Sequence, residues 1–259
     1  MALADWQRGL ATLLTAPDPG TPLPTAGLSP REHAWLTRTT RDPGLRVTRD
    51  VQRAWRRTRL GAALPLTMAA LPVDARPGLV AAYLDACPCV SFFHVHEGRM
   101  FFRFLAARTP PLAHIHSLAA LEVAMHDAGE WLVFAEAPAA PLACPDDARL
   151  VLHPGATRVR FDAAPELVIG SVLAGRSLPP SDGGRHEMIV APGVRHFGRA
   201  LTGAETELLD LCAAGATLAE LAARVPDGRA LATHLLDERA LVPDLDRTRA
   251  SDGSRSNPI

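Results

Sequence analysis

The spacing of apolar residues changes near Glu130. Before that point, apolar residues recur at intervals of three and four, which is typical of helices; Trp6, Leu10 and Leu13 follow this spacing at the start of the chain. After it, short β-branched runs alternate with Pro-Gly, Pro-Pro and Gly-Gly pairs, which indicate strands and turns. The sequence therefore predicts an α+β protein with a helical N-terminal part and a small sheet in its C-terminal part.

Helix signals occur throughout the first 130 residues. Ser29 followed by Pro30 is typical of a helix start, and a proline-rich connector precedes it. The segment "VTRDVQRAWRRTRLGAAL" predicts a helix whose buried stripe would contain Val51, Ala54, Trp55 and Leu60. Further helices are expected in "LPLTMAAL", "RPGLVAAYLDAC", "GRMFFRFLAAR" and "SLAALEVAMHDAGE".

The second half contains both strand and helix signals. We expect strands in "ARLVLHPGATRVRFDA" and "PELVIGS", and a hairpin in "HEMIVAPGVRHFGRAL" that turns at Pro192-Gly193. Thr202 and Glu205 form a capping box that begins the first of three short helices. Strands followed by three short helices indicate a winged-helix-like domain. The predicted organisation is a helical domain at 1–130, a winged-helix-like domain at 131–243 and a disordered tail at 244–259.

Composition excludes several function classes. All 27 basic residues are arginine, which excludes a lysine Schiff base and a P-loop lysine in this chain. Neither the G-x-S-x-G nor the G-x-G-x-x-G motif is present.

The sequence has no sign of a membrane segment, since no apolar run approaches the ~20 residues that span a bilayer. The N-terminus lacks the charged and apolar regions of a signal peptide, so we expect a cytoplasmic location and no membrane partner. Cys87 and Cys89 form a C-P-C triplet rather than C-x-x-C, and we expect reduced, idle thiols.

Two H-x-H pairs, His94/His96 and His114/His116, raise the question of a metal site. On a strand, the two histidines of a pair would share a face and could bind one ion. On a helix they would point roughly 200° apart. We expect the first pair just before a helix and the second at a helix entry, so we predict no metal on this chain. A stand-alone metalloprotein that uses these histidines remains the alternative.

Several segments resemble a known family. They are "WLTRTTRDPGLRV", "SFFHVHEGRMFFRFLAAR" and "PPLAHIHSLAALEVAMHDA", followed by "RLVLHPGATRVRFDA" and the region from "GRHEMIVAPGVRHFGRAL" onward. Over residues 30–225 the chain is similar to the MbnC-like family, whose relatives were once labelled as DNA-binding proteins. Its members are partner proteins of multinuclear iron-dependent oxidative enzymes, which modify cysteines in ribosomally made peptides.

The resemblance implies a non-catalytic subunit. It would bind the leader of a cysteine-containing precursor peptide and form a heterodimer with an MbnB-like iron enzyme. That partner, a TIM barrel, would hold the iron, and this chain would carry no cofactor. As in methanobactin biosynthesis, the complex would convert a peptide cysteine to an oxazolone and an adjacent thioamide. A different peptide-cysteine modification is an alternative product.

Two sets of residues are the candidates for these contacts. Arginine and aromatic side chains dominate binding at protein interfaces, and we expect the enzyme to dock on Arg53, Trp55, Arg56, Phe92, His94, His96 and Phe101. An extended peptide can add to an exposed strand edge, and we expect it to contact Val194, Arg195, His196, Arg199 and Leu208. The alternative function is a DNA-binding transcriptional regulator, although the helices of the second half carry too few arginines to neutralise many phosphates. We therefore expect no nucleic-acid partner.

Overall fold

The structure is a computed structural model, and it describes residues 3–15, 27–87, 91–108, 112, 114–134 and 144–244. Most of the predicted proline-rich connector, Cys89 of the C-P-C triplet and all but the first residue of the predicted C-terminal tail lie outside these ranges. Within them the fold is mixed, with eleven α-helices and two small antiparallel sheets. This confirms the α+β class. None of the helices in the described ranges is long and apolar enough to cross a membrane.

The chain divides into two compact units, Met1–Leu112 and Ala113–Ile259. Residue 130, where the apolar pattern changes, lies within a helix of the second unit. The helices of the first unit are α1 Leu3–Thr15, α2 Pro30–Thr39, α3 Pro43–Ala63, α4 Pro65–Ala70, α5 Arg76–Ala86 and α6 His94–Ala106. Those of the second are α7 Ile115–Phe134, α8 Pro165–Leu173, α9 Gly203–Ala213, α10 Leu218–Arg224 and α11 Gly228–Asp237. The strands, all in the second unit, are β1 Leu150–Leu152, β2 Thr157–Phe161, β3 His186–Val190, β4 Gly198–Ala200 and β5 Leu241–Pro243.

The first unit is built around α3, which packs against α1, α4, α5 and α6. Ser29 and Glu32 form a capping box at the start of α2, and Asp42 caps α3 by accepting from the N–H of Gly44. The predicted helices of this half are confirmed. The core includes the fully buried side chains of Leu60, Leu64, Tyr83 and Phe101.

The predicted buried stripe of α3 is wrong for three of its four residues. Leu60 is buried, but Val51, Ala54 and Trp55 lie on the exposed face of the helix. The buried face contains Leu45, Arg56, Leu60 and Ala63. Arg56 is tolerated there because Glu97 of α6 neutralises its charge. A pattern of apolar residues cannot reveal that an arginine is buried. The predicted orientation of α3 about its own axis is wrong for this reason.

The second unit combines two small sheets with helices. β2, β3 and β4 form an antiparallel sheet in that order, and β1 pairs with β5. An isolated antiparallel bridge joins Arg149 to Thr217, so the chain around β1 lies between Thr217 and β5. One apolar core joins β1, β3 and β5 to the three C-terminal helices, and its members include Leu150, Ile189, Leu208 and Leu241. The helix α7 packs against β2 and β3.

Two predictions for this half need correction. "PELVIGS" forms α8 rather than a strand, because Pro165 lies at the first helical position and Glu166 in the first turn, both of which favour a helix start. The hairpin of β3 and β4 is confirmed, but its connection is longer than a turn at Pro192-Gly193. It runs from residue 191 to 197 and ends in a 3₁₀ turn, Arg195–Phe197.

Candidate functional site

Among the strands of the described ranges, β4 lies at the edge of its sheet and pairs only with β3. Its three residues pair with β3 as Met188↔Ala200, Ile189↔Arg199 and Val190↔Gly198. All three residues of β4 are partly exposed. An edge strand of this kind presents unpaired backbone groups to whatever lies beside it.

Backbone hydrogen bonds determine which groups of β4 face outward. Two bonds of 2.9 Å flank the strand, from Ala191 N–H to Phe197 O and from Leu201 N–H to Glu187 O. Bonded and non-bonded pairs alternate in an antiparallel ladder, so Arg199 forms the bonded pair within the strand. The N–H and C=O groups of Gly198 and Ala200 consequently point away from β3. This edge offers the N–H groups of both residues and the carbonyl of Gly198 to an extended chain, while the carbonyl of Ala200 already accepts from the Arg199 guanidinium at 3.0 Å.

The loop before β4 is held by close backbone contacts. Gly193 donates its N–H to the carbonyl of Glu238 at 2.9 Å, and a Cβ at Gly193 would lie 2.5 Å from that oxygen. His196 and Phe197 both adopt positive φ angles, 57° and 66°. This conformation is strained for residues with side chains. The Phe197 ring lies next to Gly129 of α7, so tertiary packing compensates for the strain.

Three of the predicted peptide-binding residues lie in this loop rather than in a strand. Arg195 and His196 are exposed in the 3₁₀ turn, at one end of the β4 edge. Val194 is buried, and its N–H donates to Ala191 within the loop. Leu208 is fully buried in the core under the sheet. Val194 and Leu208 therefore have no surface to offer a peptide, and this part of the prediction is corrected.

Arg199 is bound by two carboxylates. It donates to Glu205 at 2.6 and 3.1 Å and to Glu238 at 2.7 and 2.8 Å. The hydrogen bond to Glu238 raises the pKa of Arg199 against the opposing effect of burial. Burial alone would raise the pKa of Glu205, but the hydrogen bonds from Arg199 and Thr202 lower it. The charge of Arg199 is therefore already compensated, and its expected contact with the peptide stays a prediction.

A second group of charges ties the sheet to α9. Arg158 and Arg185 share Glu187 and Asp210 through contacts of 2.5 to 2.9 Å. Hydrogen bonds from Arg185 lower the pKa of Asp210. Because each of these side chains is paired with one of opposite charge, the group holds the sheet against α9 and is not an open site for an ion.

In the first unit, Arg56, Tyr83 and Glu97 form a buried network. The Arg56 guanidinium lies 2.8 Å from Glu97 Oε1, and the Tyr83 hydroxyl donates to the same oxygen at 2.6 Å. Burial and the Glu97 carboxylate raise the pKa of Tyr83, which keeps its hydroxyl protonated as a donor. Burial would lower the pKa of Arg56, but Glu97 outweighs it and raises that pKa. The network fixes α3 against α5 and α6.

The residues predicted to dock the enzyme divide into exposed and buried groups. Trp55 and Phe92 are 65% and 82% exposed, and Phe92 lies under the Arg59 guanidinium at 5.9 Å. Arg53 pairs with Asp85 at 2.6 Å near the surface. Arg56 and Phe101 are buried, so their side chains have no surface for a partner in this structure.

The histidine pairs lie on or beside helices. α6 begins at His94, which places both His94 and His96 in its first turn rather than before it. His116 lies in the first turn of α7, and His114, with φ of 62°, directly precedes that helix. The buried His114 ring contacts the carbonyl of Pro179 at 2.8 Å. Within the described ranges, no three His, Cys, Asp or Glu side chains converge as metal ligands would.

One feature of the β4 edge was within reach of sequence reasoning. Gly198 and Ala200 were missed because the hairpin was expected to turn at Pro192-Gly193, which extended the second strand into the loop. The available signal was the alternation of the small residues Gly198 and Ala200 with Arg199 in the sequence.

No protein-family model matches the chain, and no curated protein matches it. The features that bear on function are therefore the β4 edge, the exposed aromatic side chains and the resemblance to the MbnC-like family.

Proposed function

We propose that this chain is a non-catalytic subunit that binds a cysteine-containing precursor peptide along β4 and forms a heterodimer with an MbnB-like iron enzyme. The observation that carries the proposal is the outward-facing backbone of Gly198 and Ala200. An extended leader segment would add there as a fourth strand and pair with both residues. The exposed Arg195 and His196 lie at the end of this edge and supply the side-chain contacts.

The side chains of β4 favour such an approach. Gly198 and Ala200 occupy one face of the sheet, together with Met188 and Val190, and neither has a bulky side chain. Arg199 occupies the opposite face, where Glu205 and Glu238 hold it. A peptide strand would thus meet backbone and small groups on one face and a rigid ion-pair group on the other. Main-chain pairing supplies the affinity, and the contacts at the two faces supply the selectivity.

The C-terminal helices support a winged-helix-like arrangement for this half. α9, the bridge at Thr217, α10, α11 and β5 follow one another in chain order, with β1 between the bridge and β5. Domains of this kind often bind DNA through a basic helix. The exposed face of α11 has a single arginine, Arg229, which pairs with Asp146 at 2.7 Å. This favours a peptide over DNA as the ligand.

The chemistry would belong to the partner. The resemblance assigns iron to the enzyme subunit, where dioxygen would oxidise the peptide cysteine to an oxazolone and an adjacent thioamide in the cytoplasm. The part of this chain is to hold the leader, so that the cysteine reaches the iron. A partner that performs another cysteine modification would require the same peptide-binding edge. The product therefore depends on the enzyme rather than on β4.

Replacing Ala200 by proline tests the peptide site. Proline removes the outward N–H of Ala200 without removing a bond of the β3–β4 ladder, and proline is tolerated on edge strands in this orientation. We expect Ala200→Pro to weaken binding of the labelled precursor peptide by about tenfold or more, because a peptide carbonyl would lose its donor. His196 is unsuitable for this test, since proline cannot adopt its φ of 57°.

Ala200→Ser is the matched control, since it keeps the N–H and adds one small group. It should bind the peptide as the wild-type chain does, and both variants should melt near the wild-type temperature. Peptide binding by Ala200→Pro at wild-type affinity would place the peptide elsewhere. Tight, sequence-specific binding of duplex DNA by the wild-type chain would instead favour the regulator.

A further inference from the structure

The outward face of α3 carries a second apolar stripe. Val47, Val51 and Trp55 recur every four residues, and they are 62%, 47% and 65% exposed. Ala54, Thr58 and Ala62 are exposed in the same sector, which spans about 100° of the helix and contains no charged residue. These six residues are termed the α3 outer stripe. A helix that packs into a core needs only one apolar face, so the fold does not account for a second one.

The stripe continues beyond the helix. Arg59 lies one turn after Trp55, and its guanidinium covers the Phe92 ring at 5.9 Å. Phe93, next to Phe92, is 70% exposed and meets the His96 ring edge-on at 6.1 Å. The exposed apolar side chains of α3 thus adjoin two exposed aromatic rings. An exposed surface that combines tryptophan, phenylalanine and arginine has the composition of an interface centre.

The charges at the borders of the stripe indicate the kind of partner. Arg46 and Arg57 are exposed along one border with Asp50, and Arg59 lies along the other. Two copies of this chain packed stripe to stripe would place arginine borders against each other in either orientation. Like charges at a rim oppose association. The stripe therefore fits a different protein, with an apolar centre and carboxylates at its border.

The side chains of the stripe favour a protein over a membrane surface. Basic helices with tryptophan can also bind anionic lipid. Ala54, Thr58 and Ala62, however, are small, and small side chains at a contact permit another helix to approach closely. Binding to a lipid surface requires no close approach of another helix, and larger apolar side chains favour it.

We propose that the α3 outer stripe docks the iron enzyme through an apolar helix of that enzyme bordered by Asp and Glu. This inference rests on the proposed function, and it identifies the surface that would hold the heterodimer together. The stripe and the Phe92 ring beside Arg59 retain Trp55 and Phe92 of the residues expected to dock the enzyme. Val47 and Val51 replace the buried Arg56 and Phe101.

The test uses the full chain and a purified MbnB-like iron enzyme. Val51→Asp places a carboxylate in the centre of the stripe, and we expect the Kd for the enzyme to rise about tenfold or more, because that charge would be buried without a partner. Val73→Asp is the matched control, since Val73 is 76% exposed in the turn before α5. The Kd of Val73→Asp for the enzyme should stay at the wild-type value.

Reversal of both charges in Arg46→Glu/Arg57→Glu should slow association with the enzyme and reduce the dependence of the association rate on salt.

Circular dichroism should show that the variants fold. Equal Kd values for Val51→Asp and Val73→Asp would overturn the inference. So would stripe-dependent dimers of the chain alone, or binding to vesicles with anionic lipid that Val51→Asp abolishes. Loss of the docking inference alone would leave a wild-type chain that binds the enzyme with an affinity that Val51→Asp does not change. A wild-type chain that binds the precursor peptide but not the enzyme would overturn the heterodimer of the proposed function too. A chain that binds neither would overturn the proposed function as well.

Discussion

The side chain of Arg56 contributes to the choice of the α3 face that enters the core. Its guanidinium meets the Glu97 carboxylate and the ring of Tyr83, and it donates to the carbonyl of Leu84 at 3.3 Å. Rotation of α3 toward the pattern predicted from the sequence would bury Trp55 and expose Arg56. It would also leave the Glu97 carboxylate buried without a cation, and such a charge is strongly destabilising. The ion pair therefore acts together with the buried Leu45, Leu60 and Ala63 to fix the rotation of this helix of 21 residues.

Replacing Glu97 by glutamine tests the weight of this pair. The change leaves the Arg56 charge buried, and we expect the free energy of unfolding to fall by about 3–5 kcal/mol. Denaturant unfolding followed by circular dichroism measures it. The exposed Arg53–Asp85 pair is the control, and Arg53→Met should change stability by about 1 kcal/mol at most. A similar small change for Glu97→Gln would show that the buried pair does not hold α3.

At the level of elements, local signals predicted helices better than strands. Capping residues at Ser29 and Thr202 marked helix starts that the structure confirms. "PELVIGS" was misread because its β-branched residues outweighed the proline and glutamate at its start. β4 was placed too early because the two positive φ angles at His196 and Phe197 depend on packing against α7. No local pattern of residue types encodes that contact.

The start of α6 bears on metal binding. Because His94 and His96 lie in the first turn of a helix, their side chains point roughly 200° apart and cannot both bind one ion. We expect the purified chain to carry no tightly bound iron, zinc or copper, as measured by elemental analysis. About one ion per chain, lost in the His94→Ala/His96→Ala variant, would contradict this expectation.

For the whole molecule, the sequence predicted the class of fold and the half that carries the sheet. It could not predict the rotation of α3, and so it could not show that an apolar stripe faces outward. Of the predicted peptide contacts, Arg195 and His196 are exposed, whereas Val194 and Leu208 belong to the core. Burial of this kind depends on contacts between segments distant in sequence. Peptide binding is proposed for the second unit, and docking of the enzyme is proposed for the first.

Backbone amide exchange tests the central claim most directly. The N–H groups of Gly198 and Ala200 face away from β3 and should exchange rapidly in the free chain, as unpaired edge groups do. Addition of the precursor peptide should slow exchange at these two amides, because each would then donate to the peptide, while Arg199 stays protected with or without it. NMR of the labelled chain resolves the three residues. Slowed exchange at Gly198 and Ala200 is the predicted result, and saturation with peptide that leaves both amides exchanging freely would contradict the account.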